Sequence, residues 1–362
     1  MDSFHQILLD WYHQQKRNLP WRNTKNPYLI WLSEVILQQT RVNQGLSYYL
    51  RFASTWPDVS SLAASHEDEV LKMWQGLGYY SRARNLHEAA KQIVEKYDGL
   101  FPSDMNELLN IKGIGEYTAA AIASIAFGKA VAVVDGNVYR VLSRLFAVET
   151  PVNGKGAKEV FASLAAEMLY TADPGTYNQA IMEFGALQCV PKKPNCPKCP
   201  LNARCLAFSR KQSAYFPVKI PKKNVTERFF NYLIILTKDS PINKVHIRKR
   251  HGNDIWKGLF EFPLIETTGL CSFNELSTMD QWKRLTGNQK YLFLGQSTTY
   301  KHRLTHRLIH ARFFIIQTDK KLDLANDFNL SLVDQSELGK YAFPRLIDKF
   351  LIETDGLNKV IN

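Results

Sequence analysis

Cysteine is scarce in this chain and unevenly placed: of five in 362 residues, four stand within one 17-residue stretch and only Cys271 lies elsewhere. That distribution offers no disulfide framework. With no apolar secretory segment at the N-terminus, it leads us to expect a reduced, soluble, intracellular protein, in the cytoplasm or nucleoid if the source is prokaryotic. Long apolar runs are missing as well. The longest, YTAAAIASIAFG, is too short to cross a bilayer and is followed by Lys129, so no membrane role is expected. Acidic residues are outnumbered, 34 against 46 basic ones, which leaves a formal charge of +12. A polyanionic partner suits that excess, although charge alone does not single out nucleic acid. No internal repeat or low-complexity tract appears, and the length leaves room for two or three domains with cores of their own.

The clustered cysteines, Cys189, Cys196, Cys199 and Cys205, follow the spacing C-x6-C-x2-C-x5-C within CVPKKPNCPKCPLNARC. Proline and lysine make this segment too polar to build an ordinary core, so thiolates gathered on a metal would supply the missing stability. Structural zinc commonly joins two C-x2-C hooks across a long insert. Here a single C-x2-C sits between two wider gaps, which favours a 4Fe-4S cluster over zinc.

Up to about residue 208 the pattern is helical. HQILLDWYHQQ, WLSEVILQQT, DEVLKMWQGL, RARNLHEAAKQIVEKY, GEYTAAAIASIAFG, NVYRVLSRLFAV and AKEVFASLAAEML repeat apolar residues at three and four. Gly and Pro punctuate them. Residues 209–225 are rich in Lys and Pro without helical period and read as a basic linker. From 226 to 362 the text turns to short β-branched and aromatic runs, RFFNYLIILT, KVHIRKR, GLFEFPLI, YLFLG and HARFFIIQT, interrupted by helical FNELSTMDQWKRL and PRLIDKFL. This reads as a separate α+β domain behind a mainly α core.

Chemistry concentrates in a few places. In IKGIGEYTAAAIASIA the turn carrying Gly113 and Gly115 lies between two helical segments, with no strand before it and no third glycine, so a dinucleotide fold does not fit. A bare turn opening a helix can offer its N–H groups to one DNA phosphate, a helix-hairpin-helix; the plainer alternative is a structural turn. Asp135, in VAVVDGNVYRVLSR, can simply cap the helix after it. Glu34 is crowded by Ile30, Trp31, Leu32, Val35, Ile36 and Leu37. Burial would raise its carboxyl into the range of a proton donor, although a satisfied structural Glu is the commoner case. Gln38 and Gln39 are expected on the polar edge of the same helix. Leu77, Tyr79 and Tyr80, between glycines and arginines, could wedge into stacked bases or belong to a core.

LPWR, SEVILQQTRV, GLGYYSRARNLHEAA, IKGIGEYTAAAIASIAFG, VDGNVYRVLSR, NQAIMEFGALQC and the cysteine spacing, in this order over residues 5 to 208, resemble the MutY-type adenine DNA glycosylases of the endonuclease III superfamily. The resemblance implies a helix-hairpin-helix glycosylase core with a 4Fe-4S loop. It also implies excision of adenine opposite 8-oxoguanine or G in duplex DNA, with the adenine flipped out of the stack by a monomeric enzyme. It makes Glu34 the general acid and Asp135 the stabiliser of the oxocarbenium-like sugar, with Asn137 ordering the site. Tyr117 stands where the lyase branch has its lysine nucleophile, and Tyr139 where some relatives have another lysine, which implies a monofunctional enzyme. Trp21, Arg22 and Gln179 resemble adenine-pocket residues. Gln39, Leu77 and Tyr79 resemble the group that fills the duplex beside 8-oxoguanine.

The C-terminal part resembles the Nudix-like domain of the same family, through GLFEFP and YKHRLTHRLIHARFF. No acid cluster of the Nudix kind follows GLFEFP, so pyrophosphate hydrolysis is not expected, and a recognition role remains. Where family members present Phe-Ser-His to the oxidised base, this sequence has Leu304, Thr305 and His306. Three rivals compete: an endonuclease III-like glycosylase and lyase, an iron–sulfur oxidoreductase, and a noncatalytic DNA-binding protein. Tyr117 weighs against the first, the missing strand before Gly113 against the second, and the third would make Glu34 and Asp135 incidental.

Overall fold

The structure, a computed structural model, describes residues 3–221, 225–239, 242–252, 254–287, 289–318, 328–355 and 357–361. Lys222, Lys223 and Asn224 of the expected linker lie outside the described residues. The chain divides into two compact units, Met1–Ala64 with Asn85–Lys222 and Ser65–Arg84 with Lys223–Asn362. No helix among the described residues is long and apolar enough to cross a membrane.

Helices α1 (Phe4–Gln15), α2 (Pro27–Leu37), α3 (Val42–Thr55), α4 (Val59–Ala64), α5 (Glu67–Trp74), α6 (Ser81–Tyr97), α7 (Met105–Leu109), α8 (Glu116–Phe127), α9 (Gly136–Leu145), α10 (Ala157–Glu167), α11 (Pro174–Leu187) and α12 (Leu206–Ser209) come in chain order; α5 belongs to the second unit and α6 straddles the division. Their ends follow local chemistry. Asn26 accepts from the Tyr28 N–H at 2.9 Å with Pro27 at the first helical position, and α8 closes on Gly128 in the left-handed region. A core of Leu8, Tyr12, Ala121, Val138, Leu142, Phe161, Ala180 and Phe184 draws α1, α8, α9, α10 and α11 together. Two glycines let α11 approach closely. A Cβ on Gly175 would stand 2.9 Å from the Ser124 carbonyl oxygen, and one on Gly185 would stand 2.8 Å from that of Asn137.

The expectation that Gln38 and Gln39 lie on the polar edge of the helix carrying Glu34 is not met. Gln38 and Gln39 do not extend α2: the helix ends at Leu37, Gln38 caps it in a non-helical conformation, and Gln39 turns to φ +55°. The Gln38 N–H still closes on the Glu34 carbonyl, but the reversal at Gln39 redirects the chain toward α3.

The second unit holds an eight-stranded sheet of β1 (Thr226–Asp239), β2 (Ile242–Lys249), β3 (Phe260–Glu261), β4 (Leu264–Thr267), β5 (Leu292–Gln296), β6 (Tyr300–Arg303), β7 (Arg307–Thr318) and β8 (Leu330–Asp334). β1 runs parallel to β7, from Thr226 opposite Arg307 to Thr237 opposite Thr318, and antiparallel to β2 and β4. Phe230, Tyr232, Ile234 and Leu236 enter one core with Phe350 of α15 (Arg345–Glu353). Leu233 and Ile235 enter another with Leu276 of α13 (Phe273–Thr278) and Trp282 of α14 (Asp280–Thr286). Both faces of β1 are therefore covered, which is why its sequence is apolar without strict alternation. FNELSTMDQWKRL forms two helices because Met279 is extended, at φ −69° and ψ 143°.

Candidate active site and cysteine loop

Within the first unit a cleft of about 860 Å³ collects Trp21, Arg22, Glu34, Gln39, Tyr117, Asp135 and Asn137. α2 carries Glu34, and Tyr117 on α8 donates its hydroxyl to Glu34 Oε2 at 2.5 Å. Burial pushes the Glu34 carboxyl up to about 7; the Tyr117 hydrogen bond opposes this, and the charge of Asp135 adds to it. The Tyr117 hydroxyl is itself raised well above its ordinary value, first by burial and then by the two carboxylates.

Asp135 sits where α9 begins. Its Oδ1 accepts from the N–H groups of Asn137 and Val138 at 2.9 and 2.8 Å, and its Oδ2 accepts from Asn137 Nδ2 at 2.6 Å. The capping expectation is thus observed, and the same carboxylate also borders the cleft. Burial raises its pKa while these hydrogen bonds and Arg140 pull the other way.

Gln179 stands apart from the other expected pocket residues. It is on α11, where its Oε1 accepts from Tyr12 Oη at 2.8 Å, and it is not among the residues bordering the cleft. Trp21 is buried with its ring edge-on to Tyr49, 5.0 Å between centroids. Gly113 takes φ +75°, and a Cβ there would come 2.7 Å from that of Asn85; Gly115 stands at the N-cap just before α8, with no side-chain cap. In the second unit, Tyr79 is 49% exposed at φ +49°, and its hydroxyl lies 2.9 Å from Thr305 Oγ1. Thr305 and His306 are exposed on the turn between β6 and β7, closed by Leu304 N–H donating to the Arg307 carbonyl at 2.8 Å. Leu304 packs against the core beneath, and Leu77 is buried. Gln39 and Tyr79 thus share an uncommon backbone conformation for residues with a side chain.

The four clustered cysteines border one cavity of about 30 Å³, with Val141, Leu145 and Phe184 around them, and none forms a disulfide. Among the described residues, no group of three or more His, Cys, Asp and Glu is gathered tightly enough to hold a metal ion. Four thiols bordering one cavity are the donor set that a 4Fe-4S cluster would take. Burial pushes Cys199 up to about 11, so cationic iron would be needed to hold it as thiolate.

Residues 32–166 match the HhH-GPD superfamily base excision DNA repair proteins, and residues 231–353 match the NUDIX domain. An adenine DNA glycosylase of Buchnera aphidicola subsp. Schizaphis graminum is 37% identical over 265 residues, covering 73% of this chain and 75% of that relative. The chain belongs to the adenine DNA glycosylase family. An adenine DNA glycosylase of Arabidopsis thaliana is 38% identical over 294 residues, 71% of this chain but 46% of the relative, so the chain spans less than half of the plant protein. Among solved structures, a thermostable thymine-DNA glycosylase is 29% identical with a TM-score of 0.53, over 57% of this chain and 95% of that one. For an adenine DNA glycosylase family member the four cysteines suggest an iron–sulfur cluster, and the donor set here suits one.

Several residues of this adenine DNA glycosylase family member escaped the sequence reading. Glu183 is 1% exposed and accepts from Arg22 at 2.8 and 2.7 Å and from Arg17 at 2.9 and 2.5 Å. Burial alone would raise its carboxyl, but these hydrogen bonds outweigh it and hold the pKa at about 2. The signal was available, since an acid inside the apolar NQAIMEFGALQC is as odd as Glu34 is in α2. Arg140 and Arg144 on α9 were also missed. Arg140 donates to Asn137 Oδ1 at 2.8 Å and to the Cys189 carbonyl at 2.7 Å, while Arg144 donates to the carbonyls of Val190, Ser213 and Phe216 at 2.8, 3.0 and 3.1 Å and to Cys189 Sγ at 3.3 Å.

Proposed function

We propose that this chain is a monofunctional adenine DNA glycosylase that removes adenine mispaired with 8-oxoguanine or G from duplex DNA. The observation that carries this reading is the pair of carboxylates in one cleft with unlike surroundings. Glu34, raised toward neutrality, retains a proton to give, whereas Asp135, also raised by burial, accepts three N–H hydrogen bonds that oppose the rise and favour its anion. The flipped adenine enters the cleft and Glu34 protonates a ring nitrogen. The bond from N9 to C1′ then breaks with its electrons passing to the base. Asp135, held by Asn137, stabilises the positive sugar until water adds at C1′ and yields its proton to Glu34. Trp21 and Arg22, on the cleft lining, bind the adenine, and Gln179, hydrogen-bonded to Tyr12 outside that lining, joins them once the adenine is bound. Tyr117, a phenol hydrogen-bonded to Glu34, offers no amine for a Schiff base.

We assign residues 1–208 to the catalytic core, 209–225 to the linker and 226–362 to lesion recognition. Tyr79, Thr305 and His306, exposed in the second unit, face the oxidised strand, a reading supported by the Tyr79–Thr305 hydrogen bond; Gln39, Leu77 and Leu304 are assigned to that strand on the family resemblance alone. Gly113 and Gly115 receive a DNA phosphate at the start of α8. Cys189, Cys196, Cys199 and Cys205 hold a 4Fe-4S cluster, whose contribution when bound is to cross-link the 189–205 loop. The enzyme would work in the compartment that holds the DNA.

Single-turnover excision on duplexes with A opposite 8-oxoguanine or G tests the assignment. Adenine should be released, the product strand should stay intact until alkali or heat cleaves it, and borohydride should trap little adduct. Efficient trapping at neutral pH would favour the glycosylase and lyase reading instead. For the loop, the purified protein should contain iron and sulfide, and Cys271→Ser should leave the iron content unchanged. A colourless, zinc-loaded anaerobic preparation would refute the cluster.

A further inference from the structure

Glu183 has no part in the steps above, yet it is a nearly fully buried carboxylate bordering the same cleft as Glu34. A buried carboxylate is tolerated only when paired. This one is paired twice. Arg22 grips both its oxygens, Arg17 does the same, and the Arg17 backbone N–H adds a fifth hydrogen bond at 2.9 Å. Arg22 Nη1 also donates to the Arg17 carbonyl at 3.0 Å, so the two arginines and Glu183 form one closed clamp. Two cations and one anion leave the clamp with one net positive charge.

Around Glu34 stand Tyr117 from α8, Asp135 ahead of α9 and Arg22 from the short turn Pro20–Arg22. Around Glu183 stand Arg17, Arg22 and Tyr12 of α1. Arg22 is common to both sets. Its charge favours the ionised form of Glu34, in opposition to burial and to Asp135.

We propose that Glu183 is a positioning residue, fixing Arg22 and offsetting the positive charge that Arg22 brings to Glu34. This rests on the reading of Glu34 as the proton donor. Without Glu183 the Arg22 charge would be uncompensated, and Glu34 would lose its proton at lower pH. Without Arg22 that charge would be gone, and Glu34 would keep its proton to higher pH.

The test is the single-turnover rate of adenine excision opposite 8-oxoguanine from pH 5 to 9, with folding of each variant checked by circular dichroism. In Glu183→Gln the alkaline limb should move down by about one pH unit, an order-of-magnitude expectation for one uncompensated nearby charge, with about a tenfold loss at pH 8 and little loss at pH 5.5. In Arg22→Met the limb should move upward, whatever the absolute rate. If Glu183→Gln does not fold, the direction seen with Arg22→Met decides alone. A loss uniform across pH, or limbs moving in the same direction, overturns the proposal. A wild-type profile with no limb between pH 6 and 8 removes the acid role of Glu34 and this inference with it; a wild-type limb that neither variant shifts removes only the inference.

Discussion

At the scale of single residues, Glu34 and Asp135 differ in what surrounds them. Glu34 meets one hydrogen-bond donor within an apolar helix, and Asp135 meets three N–H donors at a helix start. The acid is competent only while protonated, so excision should decline as pH rises through about 7, the value to which burial brings Glu34. Glu34→Gln keeps the shape without the proton, and Asp135→Asn keeps the shape without the charge. Each should bind duplex DNA while its single-turnover rate falls by roughly a hundred- to ten-thousand-fold. A variant near the wild-type rate returns that residue to a structural role. Replacing Thr305 and His306 together with Ala should leave the cleft untouched yet narrow the preference for 8-oxoguanine over G about tenfold or more, since each lost hydrogen bond is worth about 1 kcal/mol. An unchanged ratio of the two excision rates would remove the turn between β6 and β7 from lesion recognition.

At the scale of elements, α11 matters through what it lacks. Gly185 permits contact between α11 and the first turn of α9, where Asn137 and Asp135 are ordered. The obstacle to a Cβ there is backbone, which cannot swing aside like a side chain. Gly185→Ala should therefore cost roughly 1–3 kcal/mol, read as a lower thermal midpoint, and should depress excision more than duplex binding because the Asp135 cap is disturbed. An unaltered midpoint would mean that α11 can shift without strain. The same crossing explains Arg140, whose guanidinium ties Asn137 to the Cys189 carbonyl and so joins the start of α9 to the cysteine loop.

At the scale of the whole molecule, the charge of +12 is a statement about partners and not about fold. Phosphate contacts release counterions, so log Kd for duplex DNA should rise linearly with log salt, and by the same slope for matched and mismatched duplexes. A fluorescence-anisotropy titration across salt concentrations that gave no slope would place affinity elsewhere. Much of this protein was legible in order along the chain. Turn residues, helical period, the cysteine spacing and the positions of Glu34 and Asp135 are local features, set by neighbours within a few residues, and α8, α9 and β1 appear where pattern placed them. Helices α3, α4 and α11 were not picked out by period; Gly45 interrupts the first, and the last is buried on many sides. What only the tertiary structure decided involves partners distant in sequence. Tyr117 reaches Glu34 across 83 positions, Arg17 and Arg22 reach Glu183 across 166 and 161, and Tyr79 reaches Thr305 across 226. Composition and period carry no record of such pairings, because they arise only when packing brings distant elements side by side, and it is the burial of Glu34 in that packing that gives the cleft its proton donor.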